Sequence, residues 1–346
     1  MSTAARRPKA VIYGCAGPVL TDTERAFFAR VNPLGFILFA RNVRTPAQVR
    51  ELVGALRESV GRADAPVLID QEGGRVARLR PPYWRAAPSA ATIGALADTD
   101  LERAREAAWL NARLIGAELG ELGITVDCAP VADVPVAGSH DVIGDRAYGT
   151  DPARVSVLAR AAALGFIDAG LTPVIKHIPG HGRARVDSHA ELPVVDTPRD
   201  ILARTDFVPF RALADMPWAM TAHVLYTALD PDRPATTSPT IIRDIIRGEI
   251  GFTGVLVSDD LSMQALKGTL AERAGAALDA GCDIALHCNG DMDEMVQIAG
   301  IVPPLADDAA ERLARAEANR RASFKDSEPA KLAARLDVLL SGGAIG

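Results

Sequence analysis

Eight short apolar runs, rich in valine, isoleucine and leucine and mostly followed by helical periodicity, recur along the chain and constrain its fold more than any other feature. Runs of this length bounded by turn residues read as buried strands, and a helix after each one makes neighbouring strands parallel. The candidate strands are Ala10–Cys15, Gly35–Phe39, Pro66–Asp70, Thr125–Ala129, Thr172–His177, Trp218–Ala222, Gly254–Ser258 and Asp283–His287. The clearest helices are Asp22–Val31, Pro46–Val60, Leu101–Leu122, Pro152–Ala169, Pro239–Ile250 and Met263–Ala280. Several start near Pro or Asp, where a missing or capped N–H is tolerated. The expected fold is α/β, a single (β/α)8 TIM barrel with a C-terminal helical extension. One domain would span residues 1–346, with about 305–346 forming a helical tail that packs on the barrel and ends in Gly342-Gly343-Ala344-Ile345-Gly346.

Composition narrows what such a barrel does. Of 346 residues, 48% are hydrophobic and 24% charged, enough for a large core without disulfide staples. A net charge of −6 gives no broad basic field for nucleic acid or an anionic membrane surface. The positively charged start, Met1 to Lys9, is followed by only a few apolar residues before Gly14, Gly17 and Pro18, so no signal peptide is legible. No run reaches the roughly 18 apolar residues of a membrane span. Cys15, Cys128, Cys282 and Cys288 lack C-x-x-C spacing and read as reduced, buried thiols. A cytoplasmic protein acting on a small molecule is expected, with no nucleic acid, no membrane and no obligate protein partner.

In a barrel of this kind the strand C-terminal ends and the loops after them build the active site. Unusual polar residues fall there: Asp70 after the third strand, Lys176-His177 at the fifth, His223 after the sixth, Asp259-Asp260 after the seventh and His287 at the eighth. The richest stretch, Lys176-His177-Ile178-Pro179-Gly180-His181-Gly182-Arg183-Ala184-Arg185-Val186-Asp187-Ser188-His189, threads titratable groups through glycine and proline. One reading makes His177, His181 and His189 zinc ligands with Asp187, although Lys176 would repel the ion and no HExxH-like spacing is present. The other makes Asp187 the partner of one His189 ring nitrogen, which leaves the second nitrogen to move a proton. Downstream, a hydrophobic strand delivers Asp259 as a carboxylate nucleophile needs, while Asp260 or Ser262 caps a helix beginning near Met263.

Lys-His-Ile-Pro-Gly-His-Gly followed by Asp-Ser-His, with Ser-Asp-Asp-Leu-Ser-Met downstream, resembles the glycoside hydrolase family 3 β-N-acetylglucosaminidases, and closely the single-domain bacterial enzymes of cell-wall recycling. The likeness runs on through Asp70-Gln71-Glu72-Gly73-Gly74-Arg75-Val76, Ala129-Pro130-Val131-Ala132-Asp133-Val134, Val142 to Gly149 and Met220-Thr221-Ala222-His223. It implies Asp259 as nucleophile and His189 as acid/base assisted by Asp187, with Asp70, Arg78, Arg146, Lys176 and His177 holding an N-acetylglucosamine ring. It further implies a retaining hydrolase of terminal, non-reducing β-linked N-acetylglucosamine that acts on a saccharide or muropeptide in peptidoglycan recycling, through a covalent glycosyl-Asp intermediate and with no cofactor and no metal. Retaining glycosidases usually pair two carboxylates, so a histidine donor departs from that template. The rival readings are a phosphorylase, a β-glucosidase and a non-catalytic sugar-binding protein. Without the resemblance, Asp70, Lys176 and Arg146 also read as surface ion pairs.

Overall fold

The structure is a computed structural model that describes residues 6–326 and 328–341. The first five residues of the segment read for a leader, Ser327 and the Gly342-to-Gly346 end lie outside the described residues. Eight parallel strands close into a barrel: β1 Lys9–Gly14, β2 Pro33–Leu38, β3 Val67–Ile69, β4 Val126–Asp127, β5 Thr172–Ile178, β6 Trp218–Thr221, β7 Val255–Asp260 and β8 Ile284–His287. They follow one another around the barrel in chain order, and β8 pairs with β1. All eight expected strands are present, within a few residues of their expected ends. Both faces are covered, which is why β5 is buried along its whole length and why the strands read as near-continuous apolar runs.

The helices follow their periodicity where they are long. Asp22–Val31, Pro46–Ser59, Leu101–Glu121 and Pro152–Asp168 form as expected, and Ile241–Glu249 is a wide helical turn that buries four isoleucines. One expected start is wrong. The helix expected from Met263 begins at Leu270, because Gly268 takes φ +89° and Thr269 forms a capping box with Glu272. Asp260 therefore caps no helix: its carboxylate accepts the N–H groups of Ser262 and Cys288 and the Ser262 hydroxyl, holding the turn after β7. The short helices Ala90–Ala95, Arg199–Arg204 and Phe207–Ala212 carry too few residues for a periodic signal. Met292–Ile301 and the two-residue strands Val194–Val195 and Leu225–Tyr226, which pair with each other, were also not read from sequence.

The two last helices pack in different places, one of them at the closed end of the barrel. Asp307–Ser323 lies across the strand starts, where Arg312 pairs with Asp283 at 2.6 Å and Arg315 and Arg320 donate to the Thr253 and Gly170 carbonyls, each at 2.8 Å. Pro329–Ser341 packs on Leu101–Glu121, with Arg335 clasping Glu106 through two bonds of 2.8 and 2.7 Å. The strand C-terminal ends remain open. Among the described residues no helix is long and apolar enough to cross a membrane.

Helices Leu101–Glu121 and Pro152–Asp168 approach closely because Gly165 has no side chain; a Cβ there would lie 2.4 Å from the Trp109 carbonyl oxygen. Gly165→Ala should therefore cost about 1–3 kcal/mol through overpacking. Gly54, exposed in Pro46–Ser59 with nothing within 4 Å of an added Cβ, is the contrast. Gly54→Ala should instead stabilise the fold by up to about 1 kcal/mol, since alanine is the better helix former. Urea unfolding of the two variants beside wild type reads both signs.

Candidate active site

Asp70 follows β3 directly, and Lys176 belongs to β5, one strand beyond β4. Their side chains meet at the mouth: Lys176 Nζ donates to Asp70 Oδ1 at 2.8 Å and stands 2.6 Å from Glu72 Oε1. Arg146 holds both oxygens of Glu72 at 2.8 Å, and Arg78 reaches Asp70 Oδ2 at 3.3 Å. Lys176 is only 2% exposed, so these are buried ion pairs rather than surface ones. Burial alone would discharge each group, but the opposite charges win. Lys176 and Arg146 are pushed up, and Asp70 and Glu72 are held below the usual carboxylate range. The Phe39 ring lies under both the Arg78 and Arg41 guanidinium groups, each 5.1 Å from its centre, and braces this floor.

A second cluster stands beside the first. The buried carboxylate of Asp133 accepts the His177 N–H at 3.2 Å and the His181 N–H at 2.6 Å through Oδ1, while Oδ2 lies 2.7 Å from His177 Nδ1. That bond fixes which face of the His177 imidazole is left for a ligand. The two imidazoles are 5.5 Å apart, centre to centre. Burial, and then the neighbouring His177, push His181 down to about 4, so it is neutral near pH 7.

Asp259 is the last residue but one of β7 and accepts the Asp260 N–H at 2.8 Å. Burial opposes its charge, but His223, His177, that N–H and Lys176 outweigh the burial and hold its carboxyl below the usual range. Asp187 and His189 lie on the long loop after β5. The Asp187 Oδ1 atom stands 2.7 Å from His189 Nδ1 and accepts the His189 backbone N–H at 2.9 Å. The His189 side chain is 67% exposed, so it reaches the cavity from the solvent side.

Asp70, Arg78, Arg146, Lys176, His177, Asp187, His189 and Asp259 all line one cavity of about 430 Å³. Two of the expected strand-end residues do not reach it. Along β8 the side chains alternate, so Leu286 and Cys288 face the cavity while His287 faces outward, 2.8 Å from Glu294 and edge-on to Tyr13. His223 is buried behind Asp259, held between Thr236 Oγ1 at 2.7 Å and the Asp260 carbonyl at 3.0 Å. Among the described residues, no group of three or more histidine, cysteine, aspartate or glutamate side chains is arranged to hold a metal ion.

Glu72 and Asp133 were missed as site residues, although both lie inside the sequence blocks quoted above. Asp127 gave no signal at all: burial pushes its carboxyl well above the usual range, Oδ1 accepts the Gln71 N–H, and Oδ2 is buried without a hydrogen-bond partner.

Residues 20–317 match the glycosyl hydrolase family 3 N terminal domain. The chain is 42% identical over 283 residues to a beta-hexosaminidase of Alkalilimnicola ehrlichii, covering 81% of this chain and 80% of that one. A beta-hexosaminidase of Methylococcus capsulatus is 40% identical over 282 residues, covering 80% and 82%. The fold is similar to NagZ from Neisseria gonorrhoeae in complex with N-trifluoroacetyl-D-glucosamine, with a TM-score of 0.85, 32% identity and coverage of 96% and 98%. It is also similar to a glycoside hydrolase family 3 beta-N-acetylglucosaminidase from Paenibacillus sp., at a TM-score of 0.83 and 31% identity, covering 95% of this chain and 67% of that one.

The neutral, buried His181 gives the fold a pH dependence of definite sign. Between pH about 6.5 and about 4 the unfolded chain takes up a proton that the folded chain refuses, so stability falls as pH drops through that window. This one group is worth on the order of 3 kcal/mol across it. His223, also lowered, acts in the same direction. The depressed carboxylates Asp70, Glu72, Asp133 and Asp259 add their losses only below about pH 5, where the unfolded chain's carboxylates begin to bind protons. Urea unfolding at pH 7, 5.5 and 4.5 should show the decline, and His181→Gln should flatten it; an equal decline in the variant would refute the assignment to His181.

Proposed function

The chain belongs to glycosyl hydrolase family 3, and from that premise we propose that this glycoside hydrolase is a retaining β-N-acetylglucosaminidase with Asp259 as its nucleophile and His189, assisted by Asp187, as its acid/base. The observation that carries the reading is the meeting of Asp259, the Asp187–His189 pair and the Asp70–Lys176–Glu72–Arg146 floor in one cavity.

In the first step Asp259 attacks the anomeric carbon as the bond to the leaving oxygen breaks, and that oxygen takes the proton of a His189 imidazolium. The Asp187 carboxylate holds the Nδ1–H and keeps the other nitrogen turned to the reaction. In the second step the neutral imidazole takes a proton from water, whose oxygen replaces Asp259 at the same carbon and releases the sugar with its starting configuration. The depressed pKa of Asp259 supports the first role, since a nucleophile must be ionised at working pH.

Asp70, Arg78, Arg146, Lys176 and His177 hold the sugar: carboxylates accept from hydroxyls, and the cations and imidazole donate to them. A floor closed by buried ion pairs favours removal of a terminal unit over internal cleavage. The relatives named beta-hexosaminidase, and the N-trifluoroacetyl-D-glucosamine complex of the Neisseria protein, support the N-acetylglucosamine specificity. We further read the whole chain, with its terminal helices, as one catalytic domain that works in the cytoplasm on muropeptides of peptidoglycan recycling. Four free, buried cysteines suit a reducing compartment.

Asp259→Asn should nearly abolish turnover of 4-nitrophenyl β-N-acetylglucosaminide, while Asp260→Asn, which keeps an oxygen to accept the Ser262 and Cys288 N–H groups, should retain appreciable activity. Equal losses would leave the nucleophile unassigned. His189→Ala should slow N,N′-diacetylchitobiose about 10²- to 10⁴-fold in the first step, whereas activated phenolate substrates should stall in the second with the glycosyl-enzyme accumulating. Equal impairment on both would make His189 a binding residue. Hydrolysis in phosphate buffer should yield free sugar; a sugar 1-phosphate would reveal a phosphorylase instead.

A further inference from the structure

The acid/base pair sits on a loop segment with one buried residue. From Arg185 to Leu192 every residue is exposed or half-buried except Ser188, which is 3% exposed between Asp187 and His189. Its hydroxyl lies 3.2 Å from Nε2 of His181, and its carbonyl accepts the Ala265 N–H at 3.3 Å. His181 is an unusual base for such a contact. It is 2% exposed, its Nδ1 is buried without a hydrogen-bond partner, and its backbone N–H goes to the Asp133 oxygen that also receives the His177 N–H. One carboxylate thus fixes both the imidazole facing the sugar subsite and the backbone of the residue whose imidazole meets the loop.

We propose that Ser188 and His181 are positioning residues: the Ser188 hydroxyl docks on the His181 imidazole, and this contact sets where His189 stands over the cavity. The proposal rests on the reading of His189 as acid/base. A dyad on an otherwise exposed loop has no rigid element to aim it, and proton transfer requires the donor within hydrogen-bond reach of the leaving oxygen. The neighbouring residues argue the same way. Val136 and His140 tie the loop only through Gly182 and Ala184, before the dyad begins, and Gln264 meets the His189 carbonyl at a long 3.4 Å. The Ser188 hydroxyl is the buried side-chain contact of residues 185 to 192, beside the long backbone bonds that Ala265 and Gln264 donate to the Ser188 and His189 carbonyls. Because Asp133 links His181 to His177, the docked position of the loop is referenced to the sugar floor rather than to solvent.

Ser188→Ala tests this with two readouts. Hydrogen exchange should quicken severalfold at the amides of 186 to 190 while the barrel strands keep their protection. The kcat for N,N′-diacetylchitobiose should fall about 10- to 100-fold, as expected for a misplaced proton donor, with KM little changed. The first step with a dinitrophenyl β-N-acetylglucosaminide, which needs no proton, should hold near wild type. Ser188→Thr, which keeps the hydroxyl, should restore both readouts, and His181→Gln, which keeps a polar atom near Nε2, should fall between. Unchanged exchange in Ser188→Ala overturns the proposal, and so does equal slowing of both substrates. If wild type hydrolyses neither substrate, the functional reading fails and takes the aiming role with it, while the exchange data still decide whether Ser188 docks the loop.

Discussion

The ammonium of Lys176, buried between the carboxylates of Asp70 and Glu72, is the interaction on which the rest of the site depends. An unpaired charge at that depth costs several kcal/mol, and removing one partner of a buried pair leaves that cost exposed. The chain meets the constraint by bringing two carboxylates from the loop after β3 to one cation on β5. Arg146 and Arg78 then complete the pairing from the outside. Asp127, close below, would add a further negative charge, and burial pushes its carboxyl well above the usual range. The result is a floor dense in donors and acceptors yet nearly balanced in charge, which suits a ligand made of hydroxyl groups.

Such a floor is a poor source of stability. Replacing buried ion pairs with well-packed apolar residues is often neutral or stabilising, so stability alone does not account for their presence. The barrel is held by other means: eight strands buried on both faces, helices pressed against them, and a closing helix over the strand starts. The open end is free to carry polarity because the closed end does not need it.

This division explains what was legible in the sequence. The strands show as apolar runs because a doubly covered parallel sheet has no polar face, and the long helices show because each has one buried stripe. Asp70, Lys176 and Asp259 stand out by ending such runs. Position alone misleads at His223 and His287, where alternation along a strand or a neighbouring hydroxyl turns the ring away from the cavity. Glu72, Asp133 and Asp127 fail for a different reason: each acts by pairing with a residue far along the chain, and one sequence carries no sign of that pairing. The false helix start at Met263 came from apolar spacing; the Thr269 and Glu272 capping signal was present and carried more weight.

The two candidate reacting groups are mounted differently, and the proposed chemistry accounts for it. Bond formation to carbon is sensitive to small errors in distance, so the nucleophile gains from sitting on β7, where neighbours on both sides fix the backbone. A proton donor works under other demands, since it must meet a leaving oxygen, let that group depart, and then meet a water in the same place. A group on a rigid strand under a bound aglycone would block its own second substrate. A loop residue that is largely exposed clears this obstacle, but it loses the aim that a strand provides. Asp187 restores the orientation of the ring, and a buried contact such as that of Ser188 with His181 restores its location. Exposure at the candidate acid/base and a strand mount at the candidate nucleophile are then two answers to the same requirement, set by which atoms must stay and which must leave.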